Sequence, residues 1–226
     1  MTERIAWTDE MDAAGFVLAG GQSSRMGRDK ALLPLAGRPL IEHALTTLRE
    51  AGLPARIAGA SPAAHSALAA YAPIVRDPQS GLGPLAGICA ALEAASTRYA
   101  VFLPIDLPLL PASLVAYLLH RARITGRAVT VPAVNGFAQT FPVVLDRSVL
   151  PAFQTELHSG KRGCFSAFQA AAEGLGQPIA SVAVELLAQP GQVAHPLGLA
   201  PLRWFLNVNT PQDLERAAAF AAHSIA

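Results

Sequence analysis

Phe16, Val17, Leu18 and Ala19 form an apolar run that stops abruptly at Gly20 and Gly21, and few chain architectures can hold such a junction. A short uninterrupted apolar run is the pattern of a strand buried on both faces, which belongs in a sheet covered by helices on both sides. Two consecutive glycines then allow a sharp turn with positive φ. They also leave backbone N–H groups free of side chains, so that an anion can approach them. Arg25, Arg28 and Lys30 follow just downstream. Glycine amides, guanidinium forks and an ammonium are together what a polyphosphate requires, because its charge must be neutralised from several directions. The stretch reads as a nucleotide loop, although an ordinary strand-turn-helix connection with a solvated basic face has the same parts.

Two common phosphate loops do not fit. GGQSSRMGRDK contains no glycine-lysine pair in the register of a Walker A loop and no GxGxxG dinucleotide fingerprint. A relaxed match at Gly81-x-Gly83-x-x-Ala86 is weakened by Pro84 and by the lack of an acidic ribose partner at the end of the next strand. That segment reads either as a glycine-rich lip beside a ligand or as a plain turn.

The chain has 226 residues, 52% of them hydrophobic and only 15% charged, which suits a folded core and excludes a disordered chain. A single domain over residues 15–226 is expected, preceded by a loose polar extension over residues 1–14. The formal net charge of +1 offers no global field for nucleic acid or an anionic membrane, so any preference for anions must be local. Cys89 and Cys164 form no CxxC motif and read as buried thiols. No stretch has the form of a signal peptide or a membrane span, so the expected location is the cytoplasm.

Strands and helices alternate along the chain, which predicts a three-layer, Rossmann-like α/β fold with a mainly parallel sheet. The pattern predicts a helix from Leu40 towards Gly52, a short strand at Arg56–Ala58, a helix over 62–71, a strand at Ile74–Val75 and an Ala-rich helix ending near 95. Tyr99–Pro104 is a second strongly apolar strand, and a helix over 111–123 follows it. Strands at Ala128–Ala133 and Phe141–Leu145 flank Asn135-Gly136, a hairpin signal. Helices are expected over 147–157 and 162–173. A final helix over 211–222 should carry Thr210 as its cap and Asp213 as the acidic partner, and residues 174–203 give no clear pattern.

Asp106 falls just after the Tyr99–Pro104 strand, at the sheet edge where ligands collect in open α/β folds. A capping or turn role would explain a lone aspartate. Beside a phosphate loop, Mg²⁺ ligation is the stronger reading, because one or two carboxylates commonly share Mg²⁺ with substrate phosphates. Lys161 and Arg162 read as surface cations, and Asn207 and Asn209 fall on one side of an extended segment where they can clamp a ligand, although capping or turn formation explains either one alone. No Ser/His/Asp or Cys/His nucleophile constellation is present.

The string LAGGQSSRMGRDKALLPLAGRPL, with RDPQSGLGPLAG, PIDLPLLP, GKRG and NVNTPQDL following in order, closely resembles the molybdenum cofactor guanylyltransferases, a branch of the nucleotidyltransferase superfamily. The resemblance implies transfer of GMP from GTP-Mg²⁺ to molybdopterin, with pyrophosphate released. Leu18, Ala19, Gly20 and Gly21 would then meet the nucleotide through backbone groups, and Lys30 would contact phosphate. Asp77 would contact the nucleotide and Asp106 would bind magnesium. Arg25, Lys30 and Asp106 become the catalytic set, and Lys161, Arg162, Asn207 and Asn209 become acceptor contacts. The implied partners are GTP, molybdopterin or the molybdenum cofactor, and cofactor-insertion or molybdoenzyme chaperone proteins.

Three positions depart from the family pattern: Ile105 stands where Cys is usual, Gly59 where Asn is usual, and Phe141 where a polar residue is frequent. Gly59 bears on base recognition. Ala19-Gly20-Gly21 favours the guanylyl branch over the CTP-using branch, which opens with AAG. Alternatives are a transferase using CTP or a sugar-phosphate acceptor, and a nucleotide-binding protein without turnover.

Overall fold

Ala13–Leu18 forms strand β1, all six of its residues buried, because its alternating side chains serve two cores at once. Ala13 and Val17 face one helical layer, while Ala14, Phe16 and Leu18 face the other. The computed structural model describes residues 12–20, 29–77 and 81–222. β1 starts at Ala13, so the expected N-terminal extension gives up its last two residues to the sheet.

The other strands of its sheet are β2 (Ala55–Ala58), β3 (Tyr99–Pro104), β4 (Val129–Val134), β5 (Phe137–Ala138), β6 (Val143–Asp146) and β7 (Ala180–Ala183). They make one seven-stranded sheet in the order β2-β1-β3-β6-β4-β5, with β7 also paired to β4. β1, β2 and β3 are mutually parallel, β6 runs against both β3 and β4, and β7 is parallel to β4. The sheet is therefore mixed and mostly parallel.

Helices cover both faces. On one side lie α1 (Leu40–Glu50) and α3 (Ala112–Thr125), whose Leu45, Leu48, Leu114 and Leu118 meet Val17, Val101 and Leu103. On the other lie α2 (Pro84–Ala94), α4 (Leu150–His158) and α5 (Cys164–Gly174), packed through Ile88, Phe153 and Phe168 against Phe16 and Phe102. The rings of Phe16 and Phe102, on neighbouring strands, stack with centroids 5.4 Å apart. Burial pushes the Cys89 and Cys164 thiols of this layer up to about 12, so neither is a ready nucleophile. Among the described residues, no helix is long and apolar enough to cross a membrane.

Several expectations are corrected. The helix expected over 62–71 is a single α-helical turn at His65–Leu68, where Leu68 is the one large apolar side chain available to bury. Ile74 makes one parallel bridge to Ile57 rather than a strand. The Asn135-Gly136 turn, with φ of 51° and 79°, closes Val134 onto Phe137, not onto the segment at 141–145. The expected second strand is broken, and β6 begins at Val143, after Pro142, which has no N–H to give a ladder. Residues 174–203 hold β7, then α6 (Val184–Ala188), and the turn Pro201–Trp204 follows from 201. The last helix, α7, spans Pro211–Ala222 as its capping residues imply.

Thr130 of β4 is fully buried, and its hydroxyl has no hydrogen-bond partner among the described residues. An unsatisfied buried hydroxyl costs about 1 kcal/mol or more, and valine has nearly the same shape. Thr130→Val should raise stability by about 1 kcal/mol, or a few degrees in Tm for a chain of this size. Thermal denaturation checks this, and a lower Tm would mean that the hydroxyl is satisfied.

Candidate active site

β2 lies on one side of β1 and β3 on the other, so the winding of the chain reverses between β1 and β3. A crevice opens at the carboxyl ends of strands at such a reversal, and ligands of open α/β sheets collect there. Gly20 emerges from β1 at this crevice and Asp106 from β3, held together by a bond from the Ile105 N–H to Leu18 O at 3.3 Å.

Three glycines let the backbone close around the mouth of β1. A Cβ on Gly20 would stand 2.5 Å from Gly59 O, and one on Gly87 would stand 2.9 Å from Gly59 Cα. The first loop, the end of β2 and helix α2 thus touch without side chains between them. Ala19 donates its N–H to Ala58 O at 3.0 Å. That donor serves the sheet, which narrows the expected nucleotide contacts of Leu18 and Ala19 to what their remaining groups can offer.

Lys30 opens a turn of 3₁₀ helix, Lys30–Leu32, whose start is capped by Asp29 accepting from the Ala31 N–H at 3.0 Å. Its ammonium donates to Asn209 Oδ1 at 2.8 Å and lies 3.5 Å from Asp106 Oδ2. The two charged side chains are 13% and 29% exposed, so the lysine is sheltered while the carboxylate is open to a ligand. Asp106 also accepts, through its main-chain oxygen, the Val208 N–H at 2.9 Å. Residues expected from three separate motifs are therefore in direct contact: Lys30, Asp106 and Asn209.

The other expected site residues are distributed differently. Asp77 lines a cleft of about 190 Å³ with Ala86, Cys89 and Glu93 of α2 and Gln154 and His158 of α4. Lys161 and Arg162 are exposed in the α4–α5 connection, where Lys161 pairs with Glu156 at 3.1 Å. No hydrogen bond among the described residues joins either cation to the Lys30 cluster. Asn207 is exposed, and Asn209, expected to contact the acceptor, is engaged with Lys30. Gly21 and Arg25 lie outside the described residues.

Sequence reasoning missed what holds the C-terminal segment on the crevice. His195 donates from Nε2 to Leu109 O at 3.0 Å and accepts the Leu197 N–H on Nδ1 at 3.0 Å, so the neutral ring uses both nitrogens. Ser113 Oγ donates to Ala194 O at 2.7 Å, and Trp204 Nε1 donates to Leu199 O at 2.7 Å. Leu35, Leu40, Leu109, Val208 and Ala217 then form a small separate core beneath α7. A histidine in an unpatterned segment gives no sequence signal for such a role.

Residues 15–175 match the MobA-like NTP transferase domain. Over 201 residues the chain is 34% identical to a probable molybdenum cofactor guanylyltransferase of Carboxydothermus hydrogenoformans, covering 88% of this chain and 92% of that protein. It is 41% identical over 120 residues to a molybdenum cofactor guanylyltransferase of Xanthomonas euvesicatoria, covering 53% of this chain and 57% of that protein. The crystal structure of molybdopterin-guanine dinucleotide biosynthesis protein A from Archaeoglobus fulgidus superposes with a TM-score of 0.75 at 23% identity, over 93% of this chain and 99% of that one. A 2-C-methyl-D-erythritol 4-phosphate cytidylyltransferase from Thermus thermophilus shares the fold at a TM-score of 0.63 and 23% identity, over 93% and 99% of the two chains.

Burial holds the His195 pKa below its ordinary 6.5, partly opposed by the bond to Leu109 O. The folded state thus prefers neutral His195, and the unfolded chain binds the proton more readily. Its contribution to stability is complete above pH 6.5 and is lost as pH falls below that value. Tm measured from about pH 7.5 to about pH 5 should fall more steeply for the wild type than for His195→Gln. Parallel curves would exclude this histidine as the source.

Proposed function

The chain belongs to the MobA-like NTP transferase family, and on that premise we propose that it transfers GMP from GTP to molybdopterin, releasing pyrophosphate and forming the guanine dinucleotide. The observation that carries this reading is Lys30, sheltered at the crevice between β1 and β3, its ammonium shared by Asn209 and Asp106. The names of the relatives support guanylyl as the group moved and the molybdenum cofactor, whose organic part is the pterin, as its acceptor.

In the reaction, a phosphate oxygen of the acceptor attacks the α-phosphorus of GTP in line. A new P–O bond forms, the bond to the bridging oxygen of the β-phosphate breaks, and pyrophosphate leaves with the electron pair. No side-chain nucleophile is needed, so the protein's task is positioning and charge neutralisation. Lys30 donates to the triphosphate, and Arg25, five positions earlier in the sequence, would supply a second cation. The glycine convergence at Gly20, Gly59 and Gly87 keeps the loop mouth clear of side chains. Arg162 and Asn207 are exposed to an acidic acceptor, and Lys161 would have to exchange its pairing with Glu156 to reach one.

Asp106 is the residue that would hold Mg²⁺. Its carboxylate is 29% exposed and meets Lys30 only at 3.5 Å, a loose contact that a metal can replace. Among the described residues no three His, Cys, Asp or Glu side chains gather around a metal position. That donor set suits an ion held by one carboxylate and otherwise by phosphate oxygens and water. When bound, Mg²⁺ supplies charge that offsets what develops on the transferred and leaving groups.

Asp106→Asn should stay folded and lose roughly two to four orders of magnitude in rate, the scale of several kcal/mol of metal stabilisation. Thermal stability and a Mg²⁺ titration of turnover on this one variant decide the matter. A protein that is less stable but keeps its Mg²⁺ dependence would reduce Asp106 to a turn residue.

The base is tested separately. Purified protein with each of the four NTPs, Mg²⁺ and either molybdopterin or sugar phosphates should release pyrophosphate only with GTP and the pterin. Gly59 has φ of +69°, a conformation that strains side chains, but a Cβ there would find its nearest atoms at 3.7 Å, and asparagine is among the residues least strained by it after glycine. Gly59→Asn should sharpen the preference for GTP over CTP, because a base-reading polar group left unpaired penalises the wrong base. Equal turnover with CTP or a sugar phosphate would favour the related transferase reading.

A further inference from the structure

Asp213 does more than cap α7. Its Oδ2 accepts the Thr210 N–H at 2.9 Å, the Thr210 hydroxyl at 2.9 Å and the Asn209 N–H at 3.1 Å. In return the Asp213 N–H donates to Thr210 Oγ1 at 3.2 Å, which closes a capping box. The box is complete with the bonds between Thr210 and Asp213. The bond to Asn209 reaches one residue further out and adds nothing to the helix.

Asn209 is the residue whose Oδ1 stands 2.8 Å from Lys30 Nζ. It is exposed, so packing does not hold it. Its backbone is fixed instead from two sides: Val208, immediately before it, donates to Asp106 O at 2.9 Å, and Asp213 takes its own N–H. An asparagine side chain has two rotatable bonds, so a pinned backbone narrows where its oxygen can lie. The Thr210 hydroxyl and then the Asn209 N–H hold the Asp213 carboxyl below the usual range, which keeps it ionised as an acceptor.

We propose that Asp213 is a positioning residue for nucleotidyl transfer, acting through Asn209 to hold the Lys30 ammonium at the crevice; the proposal rests on the reading of Lys30 as the triphosphate-binding lysine. The carboxylate touches no substrate. It fixes the last turn of backbone before α7, and that turn fixes the lysine's partner.

The test is a set of variants assayed for kcat/KM with GTP and for Tm. Asp213→Ala should lower kcat/KM by about tenfold to a hundredfold, the upper figure being the cost of misplacing a reacting group by about 1 Å. Asp213→Asn, which keeps an acceptor oxygen in place, should recover most of that loss. Thr210→Val also weakens the helix start but leaves Asp213 bonded to Asn209, so it should match Asp213→Ala in Tm while staying within about threefold of wild-type kcat/KM. In a Lys30→Met background the cost of Asp213→Ala should shrink below about twofold, because coupled residues are non-additive. An equal cost in both backgrounds, with Lys30→Met itself impaired, would overturn the proposal and leave the reading of Lys30 standing. Thr210→Val losing as much activity as Asp213→Ala would overturn it too. Wild-type kinetics in Lys30→Met would overturn the reading of Lys30 and the proposal with it.

Discussion

The Lys30 ammonium, shared between Asn209 and Asp106, is the interaction on which the arrangement of this molecule turns. It joins segments 76 and 179 residues away from the lysine in sequence. A sheltered ammonium needs partners, because removing it from water without them costs several kcal/mol. Neither partner arrives from a neighbouring turn: Asp106 is carried in by β3 and Asn209 by the lead-in to α7. The bond to Asn209 at 2.8 Å is close, while the contact with Asp106 at 3.5 Å is loose. That inequality leaves the carboxylate free to change partner while the lysine stays in place.

The sheet supplies the other half of the arrangement. Placing β2 and β3 on opposite sides of β1 opens the crevice, and the parallel register brings Leu18, Ala58 and Pro104 out at the same edge. Gly20, Gly59 and Gly87 then allow main chains to meet where side chains would keep them apart. At position 59 it is the backbone conformation, with φ of +69°, rather than crowding that suits glycine, so this mouth carries no polar side chain there.

The C-terminal segment is held by a different kind of force. Among the described residues, an apolar core at Leu35, Leu40, Leu109, Val208 and Ala217 holds α7 against the segment at 33–40. Around it, His195, Ser113 and Trp204 make side-chain bonds to main-chain oxygens of otherwise irregular backbone. Such backbone cannot satisfy itself through ladders or helical turns, so polar side chains take over that work.

Much of this was legible in the amino-acid order. The apolar runs at Phe16–Ala19 and Tyr99–Pro104, each ending at turn residues, determined two central strands and the edge where a ligand would sit, because hydrophobic period and backbone freedom are local properties. The capping residues Thr210 and Asp213 likewise determined the start of the last helix. What the chain could not announce was which distant groups meet. The partnership of Lys30 with Asn209, the extra bond from Asp213 to Asn209, the anchoring role of His195 and the break before Val143 all depend on strand order and on how the C-terminal segment folds back. Those follow from the summed burial of many side chains, and no local pattern encodes that sum. Sequence determined the kinds of groups present at the crevice, and tertiary packing alone decided which of them touch.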